Sequence, residues 1–380
     1  IPRFGCKAWV MSVPRTFRHG ASRGGKNRRW RNRSMLPLDS DNTVPAPKCR
    51  LCGSDLTDAN DSEAHVIPNA LGGRLKPKGI LCRTCNTELD DLADNALVKA
   101  FGDWPTLLDI PRDRGKNPPK KLETRDGKTV RLEPDGTVTR IDVLYDVVPI
   151  EEGHEVRIGA GDMTTFRQLL MRAAKQFPQL DPKVAEEHAR TIGIDDDDHL
   201  KMSLDFSPQA VFGGIITAIW LFLIMKTGRA FMDRQRLSQV IKTMQSYGGT
   251  FRYLIAGLPG LLGPDVPIGH KIIVRSVPST GELITYVEIL GILKVGGVLA
   301  TAQPSCIPLE YIYAYDVVGR RDVSADFSVD ASIFEKQMWR EVGLGPTDAE
   351  ALQEYFREAL ETVFEQHYRA RFTQTESDQA

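Results

Sequence analysis

The sequence carries almost no net charge: 49 Lys and Arg stand against 50 Asp and Glu, giving −1. A global field that would gather a polyanion is therefore excluded, and any such surface must be a local patch. Cysteine is scarce, at six residues in 380, and a chain this long needs no disulfide staples. No apolar run reaches the roughly 20 residues of a comfortable membrane span. The nearest is Ala210 to Met225, with Gly213 and Gly214 near its start, and it is expected to be a helix buried in a core. The N-terminal residues also lack the apolar stretch of a secretory signal. A soluble, cytoplasmic protein is expected.

What is present is ordinary in bulk and uneven in place. Hydrophobic residues make up 41% and charged residues 26%, as in a globular protein of two or three domains. Residues 1–38 hold ten Lys or Arg and no acid, so the rest of the chain carries −11. The sequence starts at Ile1 rather than Met. Two readings of 1–34 stand open: a basic arm that lies on phosphates, with Arg28, Arg29, Arg31 and Arg33 around Trp30, or translated sequence upstream of a start at Met35. Residues 1–43 are taken as an unstructured extension.

Beyond the first hundred residues the patterns are structural. Thr129–Leu132 and Thr137–Thr139 around Glu133-Pro-Asp-Gly read as a hairpin in a β-rich region, 105–160. Within it, 112–131 holds eight basic residues against three acids, either a face for DNA or a solvated hairpin. Phe166, Leu169, Leu170, Ala173, Ala174 and Phe177 have helical spacing, stopped by Pro178. Asp195–Asp198 is expected to be a solvated loop, since four consecutive acids cannot face one ion. Residues 271–277 and 283–293 read as strands, with a further strand near 297–301. Thr347 with Glu350 forms a capping box ahead of a helix with Leu352, Tyr355, Phe356, Leu360 and Val363 on one face. Residues 161–380 are thus a mixed α+β domain without a visible catalytic constellation.

The chemistry sits in residues 44–104. Cys49-Arg-Leu-Cys52 and Cys82-Arg-Thr-Cys85 are two C-x-x-C knuckles with 29 residues between them. Each turns two thiolates toward one ion, so Cys49, Cys52, Cys82 and Cys85 are expected to bind a structural Zn²⁺ tetrahedrally. That bond would close a long loop in a module otherwise short of core. Between the knuckles, Ala64-His65-Val66-Ile67 reads as a short strand, and Pro68 and Gly72-Gly73 turn the chain back. After Cys85 comes a helical pattern of Leu89, Leu92, Ala93, Ala96 and Leu97, with Asn86 or Thr87 expected as N-cap.

C-x-x-C, His-Val-Ile-Pro, Gly-Gly and C-x-x-C-Asn, in this order, closely resemble the zinc-stapled ββα-metal kind of HNH endonuclease over residues 46–101. The resemblance implies an α+β chain made of a small ββα-metal module and the larger domain. It implies His65 as the general base and Asn86 as a ligand of a catalytic Mg²⁺ or Mn²⁺. It departs from the family at Ala64, where an acidic metal ligand usually precedes the histidine. Glu63 would serve if the strand is irregular there, because a one-residue shift in a regular strand changes the face; Asp90 would serve if it is regular. Neutral imidazole can take a proton from water, and a hard cation needs only one or two protein oxygens. Arg74, Lys76 and Lys78 are placed to hold nucleic-acid phosphates, those of DNA above all. Two other readings remain: a catalytically inactive zinc module that binds nucleic acid or protein, and a chain whose active part is the C-terminal domain.

Overall fold

The computed structural model describes residues 9–12, 47–113, 115–125, 127–134, 138–151, 153–189, 199–230, 232–247, 251–254, 257–258, 260–277, 282–299, 309–330, 332 and 349–377. The Arg28–Arg33 cluster, Asp195–Asp198 and Thr347 of the capping box lie outside these residues. Strand β1 (Trp9–Ser12) falls in the basic N-terminal stretch, where the sequence suggested no structure. Its β-prone Trp-Val-Met run finds an antiparallel partner in β9 (His199–Met202).

Strands β2 (Asp61–Ser62) and β3 (Leu81–Cys82) pair antiparallel and lead into α1 (Arg83–Leu89). A π-helical segment (Asp90–Asp94) carries the helix on into α2 (Asn95–Ala100), and α3 (Trp104–Leu107) closes the module. Next come β4 (Lys120–Thr124), β5 (Thr129–Leu132) and β6 (Val138–Arg140), so the hairpin stands where its turn residues put it. These three join β9 and β1 in one sheet, ordered β1-β9-β4-β5-β6. The hairpin of β7 (Leu144–Ile150) and β8 (Gly153–Gly159) packs with α4 (Met163–Gln176), and α4 with α5 (Pro182–Glu187).

The apolar run is α6 (Pro208–Thr227), buried from Val211 to Ile224. It is long and apolar enough to cross a membrane by composition alone. A helix apolar on every side is also what a core demands, and α6 packs against α2, α7 (Arg234–Tyr247) and β13 (Glu282–Ile289). Its glycines explain the closest approach: a Cβ on Gly214 would stand 2.6 Å from Cδ2 of Leu97 in α2. The large sheet then forms from β10 (Phe251–Tyr253), β12 (Gly269–Val277), β13 (Glu282–Ile289), β14 (Leu293–Leu299), β15 (Glu310–Asp316) and β16 (Arg321–Asp322), ordered β10-β14-β13-β12-β15-β16. A small pair of β11 (Leu261–Leu262) and β17 (Ser328–Val329) lies apart from it. The run expected as a single strand over 283–293 breaks at Leu290 and Gly291, both at positive φ (55° and 73°). A Leu in that conformation gives no sequence signal of a turn.

Helix α8 (Ala349–Ser377) buries Tyr355, Phe356, Leu360 and Val363, the face its spacing predicts. One continuous core joins knuckle residues Cys49 and Cys85, helix residues Leu89 and Leu97, the apolar residues of α6 from Val211 to Ile224, and Val274, Val287 and Phe356 of the C-terminal elements. Phe101 of the module stacks edge-on against Phe206 at 4.8 Å, and Phe206 meets Phe356 at 4.6 Å. The module is therefore fused to the larger α+β body by its helix.

Candidate functional site

The stretch around His65 is shaped by alternation and by close approach. Ala64, Val66 and Ile67 are buried, which leaves the intervening His65 directed to the surface, its side chain one-quarter exposed (25%). The short strand expected over Ala64–Ile67 does not form: strand pairing has already ended at Ser62, and Glu63 to Ile67 is irregular backbone, tied by Val66 N–H to Leu75 O at 2.8 Å. A single 3₁₀ turn, Asn69–Leu71, precedes Gly72 at φ 87°. At Gly73 a Cβ would fall 1.8 Å from the carbonyl oxygen of Ile67, so only glycine lets the chain fold back this tightly. The return brings Arg74 and Lys76 alongside His65.

The four cysteine sulfurs lie within 4.8 Å of one another, with Cys52 and Cys82 Sγ 3.8 Å apart. They are the one group of three or more metal-ligating side chains that converge so closely among the described residues. Crowding sets the thiols against each other. The Ser54 hydroxyl and backbone N–H lower Cys52 to about 6, while burial pushes the Cys85 thiol up. Four sulfurs gathered within 4.8 Å, three of them buried, fit a structural Zn²⁺, which stabilises all four as thiolates.

The second knuckle also starts the helix. The sequence pointed to Asn86 or Thr87 as N-cap; instead α1 begins at Arg83, with Cys82 in extended conformation as the capping residue. The knuckle's own turn supplies the helix start, so Asn86 lies inside the first turns. Asn86, Asp90 and Asp94 then follow at four-residue steps along one side. The N–H of Asn95 bonds to Asp90 O, five residues back, which defines the π-helical widening here. Such widenings concentrate at functional sites. Burial raises both carboxyls, Asp94 far more than Asp90, and the two side chains hydrogen-bond each other. The direction we assign is a proton held by the more enclosed Asp94, with Asp90 as the acceptor.

His65 lies within electrostatic reach of Asp90. Its pKa is lowered, first by burial and then by the Lys76 charge, with Asp90 acting in the opposite sense. The ring is thus neutral near pH 7. Glu63 is also within electrostatic reach of His65, but its carboxylate pairs with Lys76 at 3.1 Å and Lys78 at 3.3 Å, and these hydrogen bonds hold its pKa low. Arg74 and Lys76 both pair with Asp113, Lys76 at 3.1 Å, and Asp113 also meets His65 Nε2 at 3.2 Å. The three cations expected to meet phosphates are therefore matched with carboxylates in this state. Sequence reasoning passed over Asp113, a lone acid between Arg112 and Arg114, for which no spacing gave a signal. Asp94 did carry one, its four-residue step from Asp90.

The larger domain reaches the same loop. His270, fully buried on β12, donates from Nε2 to Leu71 O at 2.9 Å and accepts at Nδ1 from the Leu290 N–H. Tyr315 of β15 lies within electrostatic reach of Arg74 as well.

No curated protein and no solved structure matches this chain. A match does exist to a family of known chemistry: residues 49–102, which hold both knuckles, His65 and the helix, match the HNH endonucleases, and this module is of a nuclease-type hydrolase kind.

Proposed function

We propose that this chain is a metal-dependent endonuclease that hydrolyses phosphodiester bonds in nucleic acid, with DNA as its substrate and His65 as general base. The observation that carries the reading is the setting of His65: a partly exposed imidazole, in a stretch matching HNH endonucleases, lies beside Lys76, Arg74 and Asp113 and within electrostatic reach of Asp90 in the helix that follows the second knuckle. The neutral ring takes a proton from water as its oxygen attacks phosphorus; the P–O bond to the 3′ oxygen breaks, and that oxygen is protonated from solvent.

Asn86 and Asp90, one helical turn apart, are the residues to hold a Mg²⁺ or Mn²⁺, an ion that keeps most of its waters. When bound, it would supply positive charge to the phosphorane and leaving oxygen. The backbone at Glu63 is irregular, the condition under which Glu63 was expected to serve, but two lysines occupy its carboxylate, and Asp90 suits the role better. Lys78 would exchange Glu63 for phosphate oxygens, and Arg74 and Lys76 would meet them with their remaining donors while keeping Asp113. The cysteine cluster is then a structural staple with no part in the chemistry.

The test is cleavage of duplex and single-stranded substrates with Mg²⁺ or Mn²⁺, with Asp90→Ala and Glu63→Ala side by side. Wild type should cut, Asp90→Ala should lose on the order of 10²-fold in rate, and Glu63→Ala should stay within a few-fold. A protein that leaves every substrate intact with both ions is instead a zinc-stabilised binding module for nucleic acid or protein.

A further inference from the structure

We propose that Asp113, outside the stretch matched to the nuclease family, is a positioning residue that fixes the tautomer of His65. The inference rests on the reading of His65 as general base. Asp113 Oδ2 lies 3.2 Å from His65 Nε2. A carboxylate accepts hydrogen bonds and has none to donate, so this contact places the ring proton on Nε2. Nδ1 is left with its lone pair, the form a base must have to take a proton from water. A ring nitrogen is commonly set in this way by the bond its partner nitrogen makes.

The carboxylate is built into its place. Its own N–H donates to Asn69 Oδ1 at 3.0 Å, and Asn69 opens the turn that follows the His65 segment. Upstream, Ile110 is fully buried and its carbonyl accepts from the buried Asn117 side chain at 2.8 Å. The segment that carries Asp113 is thus pinned on both sides. Arg74 and Lys76 pair with the same carboxylate; they hold its position and match its charge. This clamp rules against a strap that swings away when substrate arrives, because leaving would take the carboxylate from Arg74 and break the Asn69 bond.

The exchange Asp113→Asn preserves shape and turns one oxygen into a donor. Arg74 pairs with Oδ1 while Lys76 and His65 share Oδ2, so the amide oxygen stays with Arg74 and the NH₂ takes the Oδ2 place. There it gives up Lys76, which keeps Glu63, and donates to Nε2, driving the ring proton to Nδ1. The experiment is ¹⁵N NMR of histidine-labelled full-length protein, zinc-loaded and without substrate, for wild type, Asp113→Asn and Asp113→Ala. Wild-type His65 should be the Nε2–H form, Asp113→Asn should move it to Nδ1–H, and Asp113→Ala should give a mixture. The same tautomer in all three proteins overturns the proposal.

In cleavage assays, Asp113→Asn should lower kcat by roughly 10²-fold or more without raising KM. A rate for Asp113→Ala equal to or above wild type also overturns it, because Asp113 would then be occupying a phosphate seat. If wild type cuts none of the substrates, the nuclease reading fails by itself, and the NMR result still decides the role of Asp113.

Discussion

Acidification from pH 7 to pH 5 adds protons to histidines in the unfolded chain but adds none to His270 in the folded one. His270 is fully buried, and burial lowers its pKa to about 3. Both ring nitrogens are already used, Nε2 as donor to Leu71 O and Nδ1 as acceptor from the Leu290 N–H. A second ring proton would therefore be buried and would displace the Leu290 bond. Because the folded pKa lies below the unfolded value of about 6.5, the stability this group contributes is complete above that value and is lost as pH falls toward 3. At about 1.4 kcal/mol per pH unit, wild type should lose about 2 kcal/mol from this residue between pH 7 and pH 5.

His270→Gln isolates the effect. Its amide can still donate to Leu71 O but does not titrate, so its stability should fall by about 2 kcal/mol less over the same interval. Urea unfolding of both proteins at pH 7, 6 and 5 measures the difference. Parallel losses would refute the reasoning, since His270 would then be accepting a proton in the folded state. The result bears on function because Leu71 belongs to the turn that begins at Asn69, the residue that seats Asp113.

Two further outcomes follow from the packing and the cysteine cluster. Full-length protein should contain one zinc per chain by elemental analysis, and Cys82→Ser should abolish it. Because the knuckles share one core with α6 and the large sheet, the loss should lower the unfolding temperature of the whole chain, and an unchanged transition would contradict that fusion. Gly214→Ala should destabilise by about 1–3 kcal/mol in urea unfolding, since its new methyl would meet Leu97 at 2.6 Å in a packed interface.

Much of this arrangement was legible in the sequence. The knuckle spacing identified the sulfurs that converge, and the apolar periodicity at 352–363 identified the buried face of α8. The uninterrupted apolar run at 210–225 fitted a core helix. Other features depend on distant pairings that no local pattern encodes. The start of α1 at Arg83 comes from knuckle geometry, which outcompetes Asn86 as a capping residue. Asp113 gains a role only because the chain returns 48 residues later to the face of His65. His270 reads as one more strand residue until the sheet is docked on the Leu71 turn. Leu290 at positive φ is held by its surroundings, and nothing in its chemistry announces a turn.

The central claim is that His65 moves a proton in phosphodiester hydrolysis, and His65→Ala tests it most directly. The variant should be assayed with Mg²⁺ or Mn²⁺ on a substrate that wild type cleaves, alongside its zinc content and DNA affinity. The expected loss is roughly 10²–10⁴-fold in rate, with zinc and affinity retained, because the half-buried ring is not part of the core. Cleavage within a few-fold of wild type would contradict it.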